Sequence, residues 1–263
     1  MKIAITAGYN SSKHAIGLIH GLTDIGIPIQ SCLIVKTFSW KRFKTYYKKL
    51  DKKELMKKVK DRLFYNYIPK DQISDEIKYI NDYFKMHFIQ YEKVNDICKS
   101  NGIKSKFVRN LNSLEAINHV KEHDLLIYAG GGILREKLIN RMKLGVLNCH
   151  SSQLPKLRGM NATEWSILMN VPTANTMHFI NKKVDQGPII KVINHDYYDC
   201  KSINQIRGRA IINTIDDLIQ TTQDIVDGNY TTKRQNPEDG KQYYTMHPIL
   251  KDLVNQKLVN NLV

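Results

Sequence analysis

Asn148, His150 and Asp185 are the residues of this chain whose types and spacing could carry chemistry. In Leu147-Asn148-Cys149-His150 the alternation of a β-strand sends Asn148 and His150 to one side and Cys149 to the other. An amide N–H can stabilise negative charge growing on an oxygen, and an imidazole beside it can carry a proton. Asp185 lies in a turn between two apolar stretches, 176–180 and 188–194, so its carboxylate can be held near the end of a neighbouring strand. Rival readings exist. A Cys149–His150 nucleophilic pair is disfavoured because adjacent strand residues face opposite ways. A metal held by His150, His178 and Asp185 lacks any compact ligand motif. Gly130-Gly131-Gly132 lacks the G-x-G-x-x-G order of a dinucleotide loop.

The elements that must position these residues alternate between strand-like and helix-like patterns, the signature of a βαβ sheet. Residues 2–7, 27–35, 105–108, 124–129, 145–150, 176–180 and 188–194 read as strands. Helices are expected from Ser11 or Ser12 to Asp24, then over 113–122, 134–142, 161–169 and 202–227. Gly26 and Gly228 act as stops, and Ser202 with Gln205 forms a capping box. Residues 36–100 break the alternation with long, basic, aromatic-rich helical segments, and this reads as an insertion on the sheet. Residues 229–263 carry no readable pattern. The expected architecture is therefore α/β, a Rossmann-like, mostly parallel twisted sheet with a basic helical insertion and a short C-terminal extension. The core is placed at 1–200, and the C-terminal helix and extension at 201–263.

The net charge of +15 is unevenly spread, with twelve Lys/Arg between residues 36 and 62 against Asp51, Glu54 and Asp61. Such a patch suits a polyanion: nucleic acid, anionic lipid or a phosphorylated substrate. It suits a solvated helical face equally well. No apolar run approaches the ~20 residues that span a bilayer, and the N-terminus reads as a buried strand rather than a signal peptide. A cytoplasmic protein is expected. The four cysteines (Cys32, Cys98, Cys149 and Cys200) have no Cys-x-x-Cys spacing, which suits reduced thiols.

Taken in order, Asn148-Cys149-His150, Ser152-Gln153-Leu154-Pro155, Arg158-Gly159, Thr176-Met177-His178 and Asp185-Gln186-Gly187-Pro188 resemble the formyltransferases that use 10-formyltetrahydrofolate. The resemblance spans about 124–192 and departs from the family at Ala174-Asn175, where a Gly usually precedes the Thr-x-His strand. It implies that a neutral amine attacks the formyl carbon. Asn148 would then donate to the oxyanion, His150 would donate to it or relay the amine proton, and Asp185 would orient the ring. Gly130, Gly131, Gly132, Ile133 and Leu134, with Asp185, would line the folate pocket. Arg158, Gly159, Met160, Asn161, His178 and Tyr243 would meet the acceptor. No metal is required.

Three relatives differ in the amine. Glycinamide-ribonucleotide formyltransferases lack a long basic insertion, although Gly8-Tyr9-Asn10-Ser11-Ser12 is a loose analogue of their phosphate turn. Methionyl-tRNA formyltransferases add a C-terminal domain for which too few residues follow Asp227. Arg158-Gly159-Met160-Asn161, Glu164-Trp165 and the Gln235…Gly240…Tyr243-Tyr244 tail look like the branch acting on nucleotide-linked amino sugars. The expected partner is thus a small phosphorylated amine, with nucleic acid not favoured and a homodimer left open. A basic scaffold that binds nucleic acid or lipid without catalysis is the alternative outside enzymes.

Overall fold

The computed structural model describes residues 1–36 and 74–260. Strand β1 (Ile3–Ala7) is completely buried and feeds helix α1 (Lys13–Asp24), whose N-cap Ser12 accepts from the Ala15 N–H. That cap satisfies one of the donors a helix start leaves free. Beyond β2 (Ser31–Val35) come α2 (Asp75–Met86), α3 (Val94–Ser100) and β3 (Lys104–Val108). Then follow α4 (Leu114–Val120), β4 (Leu125–Ile127), α5 (Glu136–Ile139) and β5 (Gly145–His150). The second half holds β6 (Leu157–Gly159), α6 (Ala162–Leu168), β7 (Ala174–Phe179), β8 (Ile189–Asn194) and α7 (Ile203–Val226). The tail adds β9 (Lys241–Tyr243) and α8 (Pro248–Val259).

Seven strands form one sheet in the order β3-β2-β1-β4-β5-β7-β8. The first five run parallel, while β7 runs antiparallel to both its neighbours, β5 and β8. The order reverses between β1 and β4, the place where open α/β sheets leave a crevice at their carboxyl ends. Alternation along β1 divides the core. Ile3, Ile5 and Ala7 face the side built with α1, α2, α3 and α7, whereas Ala4 faces the side built with α4 and α5. A third apolar cluster joins α6, α7 and α8 through Ile167, Ile206, Val254 and Leu258.

Two boundaries differ from expectation. The segment expected as an insertion, 36–100, lies partly outside the described residues, but 75–100 is built into the fold. Ile80, Tyr83 and Phe84 of α2 and Val94, Ile97 and Cys98 of α3 are buried in the main core, and α3 supplies the crossover between β2 and β3. The basic stretch that precedes them masked this apolar pattern. Likewise α7, expected to open an extension, covers one sheet face with Ile215, Leu218 and Ile225. The Ser202 hydroxyl caps α7 by accepting from Gln205 N, but the Gln205 side-chain Oε1 accepts from Lys201 N, so the reciprocal bond of the expected box is displaced by one residue. No helix among the described residues is long and apolar enough to cross a membrane.

Candidate active site

Asn148 and His150 stand at the carboxyl end of β5, paired across to His178 and Thr176 of β7. Strand alternation therefore places Asn148, His150, Thr176 and His178 on one face. The opposite face carries Cys149, whose Sγ lies 3.7 Å from Thr214 Oγ1 on α7. Burial pushes the Cys149 thiol well up, which disfavours the thiolate a nucleophile needs.

Hydrogen bonds fix the tautomers. His178 is buried, and its Nδ1 lies 3.1 Å from the Phe179 carbonyl, which can only accept, so Nδ1 carries the proton. Burial, and next the neighbouring His150, lower the His178 pKa to about 4, so the ring is neutral at pH 7. Its Nε2 is then an acceptor and receives the Asn148 amide at 3.0 Å. That contact dictates which end of the Asn148 carboxamide is nitrogen. One N–H is spent on His178, and the second is left to donate elsewhere.

His150 follows the same logic with a different result. Its Nε2 lies 2.8 Å from the Leu157 carbonyl and must donate there, which anchors the ring. Its Nδ1 faces Asp185 Oδ2 at 3.6 Å, too far for a hydrogen bond. In the neutral ring this nitrogen is a bare lone pair opposite a carboxylate. A proton arriving at Nδ1 converts that opposition into attraction. The expectation that Asp185 orients the ring is corrected accordingly: the Leu157 carbonyl orients it, and Asp185 waits opposite the position a proton would occupy.

Asp185 has φ of 52°, a left-handed conformation unusual for a residue with a Cβ. Its Oδ2 accepts the Gly159 N–H at 2.8 Å, and its Oδ1 lies 4.0 Å from His178 Nε2. Gly159 is itself required by close approach. Its φ is 101°, and a Cβ there would fall 2.0 Å from the Tyr243 carbonyl oxygen. Thr176 ties the loop after β5 to β7, donating to Ser152 O at 2.6 Å and accepting from Leu154 N at 3.1 Å.

The other expected residues divide. Gly130, Gly131 and Gly132 all have positive φ and form a turn at the end of β4, with Ile133 exposed and Leu134 buried behind it. Gly131 has φ of 125°, a conformation that strains any residue with a Cβ, and a Cβ there would also meet the Leu111 side chain at 2.6 Å. Arg158 was expected to meet the acceptor, but its guanidinium is buried and donates to the carbonyls of Pro155, Pro237 and Gly240. It clamps loop to tail. Asn161 is similarly committed, donating to Glu164 and accepting from Met246 N. Met160 is exposed beside Gly159, and the Tyr243 ring packs on Trp165 with centroids 4.9 Å apart.

Several site-building residues carried no readable signal in the sequence. Thr6 Oγ1 donates to Gly130 O and accepts from Ala129 N, while the Tyr128 hydroxyl bonds both N and O of Gly132. Asn112 donates to Ile133 O and accepts from Arg135 N. These partners bind a backbone whose course the sequence does not disclose. Gln235 is a fourth.

The fold is α/β of the formyltransferase type, a mostly parallel sheet, and it carries Asn-x-His at the end of one strand and an Asp turn in the next hairpin. Residues 83–209, the stretch that carries all three residues, match the formyl transferase family. The chain is similar to a methionyl-tRNA formyltransferase of Bacillus subtilis, 26% identical over 132 residues, which are 50% of this chain and 42% of that relative. It therefore spans less than half of that relative's length. In fold it is similar to a sugar N-formyltransferase from a Shewanella species, with TM-score 0.57 and 15% identity over 98% of this chain and 87% of the other. It is also similar to a glycinamide ribonucleotide transformylase from Symbiobacterium toebii, with TM-score 0.53 and 14% identity over 90% of this chain and 94% of the other.

Proposed function

We propose that the protein transfers a formyl group from 10-formyltetrahydrofolate to the amine of a nucleotide-linked amino sugar. The observation that carries the transfer is the Asn148–His150–Asp185 cluster, with one Asn148 N–H and the His150 Nδ1 uncommitted among the described residues. The glycine turn 130–132 fits a folate. It presents backbone free of side chains, with open space around Gly132 and the exposed Ile133 beside it. The folate, when bound, supplies the activated formyl group. Asn148 then donates to the formyl oxygen as charge grows there, and removal of one such donor costs about 3–4 kcal/mol in related chemistry. His150 accepts the amine proton at Nδ1, where Asp185 stabilises the resulting cation, and returns it to the folate nitrogen as that nitrogen's bond to the formyl carbon breaks.

The choice of amine rests on the acceptor side. Met160, Trp165, Tyr243 and the exposed Tyr244 offer an apolar and aromatic platform beside Gly159, suited to a nucleobase. The basic stretch 36–62, outside the described residues from 37 onward, offers charge for a diphosphate. The fold likeness to a sugar N-formyltransferase also runs through the tail that builds this platform. The curated relatives favour a second reading, methionyl-tRNA as acceptor, although the likeness covers only part of them.

The test supplies 10-formyltetrahydrofolate with a panel of nucleotide-linked amino sugars, glycinamide ribonucleotide and methionyl-tRNA, and follows folate release and acceptor mass. Formylation of at least one amino sugar is expected, with affinity that weakens as salt rises. Efficient formylation of methionyl-tRNA with no sugar accepted would overturn the acceptor while leaving the transfer chemistry standing.

A further inference from the structure

We propose that Gln235 is a positioning residue for Asp185, and that through it the segment 233–243 belongs to the catalytic apparatus. The inference rests on the reading of Asp185 given above and goes beyond the matched family stretch, which ends at residue 209.

Asp185 sits in a left-handed conformation that persists only where its neighbours over-determine it. One side of its turn is held by β7. A Cβ on Gly187 would fall 1.7 Å from the Phe179 carbonyl oxygen, and Asn181 Nδ2 donates to Gln186 O at 2.9 Å. The other side is held from the tail. Ile189 and Lys233 exchange backbone hydrogen bonds of 2.8 Å, which fixes residue 233 beside the start of β8. Two residues later, Gln235 Nε2 donates to Asp185 O at 3.1 Å and to Gly187 O at 2.6 Å. Both partners can only accept, so the amide must present its NH2 end. The opposite end, Oε1, is buried with no hydrogen-bond partner among the described residues. A buried acceptor left unsatisfied is destabilising, and such exceptions in native structures call for a functional account. Here the forced orientation secures both carbonyls of the Asp185 turn at once.

The same tail grips the other half of the site. Arg158 binds Pro237 O and Gly240 O, and β9 pairs in parallel with β6. That pairing sets Gly159 against Tyr243, while the Gly159 N–H holds the Asp185 carboxylate. Asp185 is thus held by its carbonyl through Gln235 and by its carboxylate through Gly159, and both holds depend on the tail.

Gln235→Met keeps the side chain's length and removes the donor, and Gln235→Asn keeps an amide one methylene short. The first measurement needs no turnover: hydrogen exchange of the Gly159 amide, whose bond to Asp185 reports the carboxylate's position. It should exchange ~10-fold or more faster in Gln235→Met while amides of β1 and β4 keep their protection. The second is kcat for formyl transfer, expected to fall ~10- to 100-fold in Gln235→Met with KM for both substrates little changed. Gln235→Asn should fall between that variant and the unaltered protein, and it serves if Gln235→Met does not fold. In an Asp185→Asn background, Gln235→Met should cost about twofold or less, because its effect runs through the missing carboxylate. Unchanged Gly159 exchange, or a kcat loss equally large in both backgrounds, would overturn the proposal. If the unaltered protein transfers no formyl group, the functional reading fails, while the exchange result still decides the role of Gln235.

Discussion

Two histidine–aspartate pairs lie on opposite faces of the same strands. His150 and Asp185 share the face of Asn148 and His178. His195 and Asp217 lie on the face covered by α7, where Asn175 of β7 joins them. Exposure does not separate the pairs, since their side chains are 8% and 15% exposed in the first and 17% and 11% in the second. Hydrogen bonding does. Asp217 Oδ2 takes the Asn175 amide at 2.8 Å and His195 Nε2 at 2.6 Å, and the His195 backbone is bonded both ways to Thr173. This pair is closed: its proton is already placed. The His150–Asp185 pair stands open at 3.6 Å, with the ring's donor spent on Leu157 and the nitrogen facing the carboxylate left to gain a proton. A closed pair holds strands to a helix, whereas an open one can take part in a reaction. The cavity of about 470 Å³ beside His195, lined also by Thr173, Asn194 and Tyr198, accordingly lies next to a structural pair.

The largest effect that would sharpen this contrast is catalytic. His150→Asn should lower kcat for formyl transfer by ~10²- to 10⁴-fold, because the proton acceptor is removed. Near-normal turnover in a folded variant would erase the distinction between the pairs. His178→Phe should cost ~10²-fold, since Asn148 loses the acceptor that fixes its amide. His178→Gln should recover part of that loss, because its carbonyl oxygen can accept from Asn148. Steady-state kinetics on the three proteins, with circular dichroism to verify folding, tests both expectations.

The candidate site residues Asn148, His150 and Asp185 could be singled out because short-range physics exposes them. Period-two alternation assigned Asn148 and His150 a common face, and apolar stretches on either side assigned Asp185 a turn. The sheet was legible for the same reason, with β5 agreeing at both ends. What failed was long-range. Arg158 and Asn161 looked like ligand contacts because a polar side chain near a site can face either way, and the sequence does not say that Pro237, Gly240 and Met246 are waiting for them. The tail had no pattern because β9 contributes only three residues and α8 buries only Val254 and Leu258. Charge hid α2 and α3, whose buried residues follow a run of lysines.

Smaller effects concern stability and pH. Burial holds His178 at about 4 and His14, whose Nε2 has no partner among the described residues, also at about 4, both below the ordinary 6.5. The unfolded chain therefore binds these protons first as pH falls. Stability is intact above pH 6.5 and declines between 6.5 and 4, by up to about 1.4 kcal/mol per pH unit for each ring. Urea unfolding at pH 7 and pH 5 should show this loss, and His14→Gln should remove one ring's share. An equal loss in that variant would contradict the assignment. Smallest of all is Cys149→Ser, which should leave kcat within about twofold, because the side chain faces α7. Complete inactivation with the fold intact would restore the thiol as a candidate.

The contrast between the open and closed pairs is tested most directly by measuring kcat and thermal midpoint together for Asp185→Asn and Asp217→Ala. Asn can still accept from the Gly159 N–H, so Asp185→Asn should keep its midpoint near that of the unaltered protein and lose ~10²- to 10⁴-fold in kcat. Asp217→Ala should lose about 3 kcal/mol of stability, because it leaves Asn175 and His195 without their acceptor, yet keep its turnover per folded molecule. The reverse outcome, with Asp217→Ala stable but inactive and Asp185→Asn active, would contradict the account.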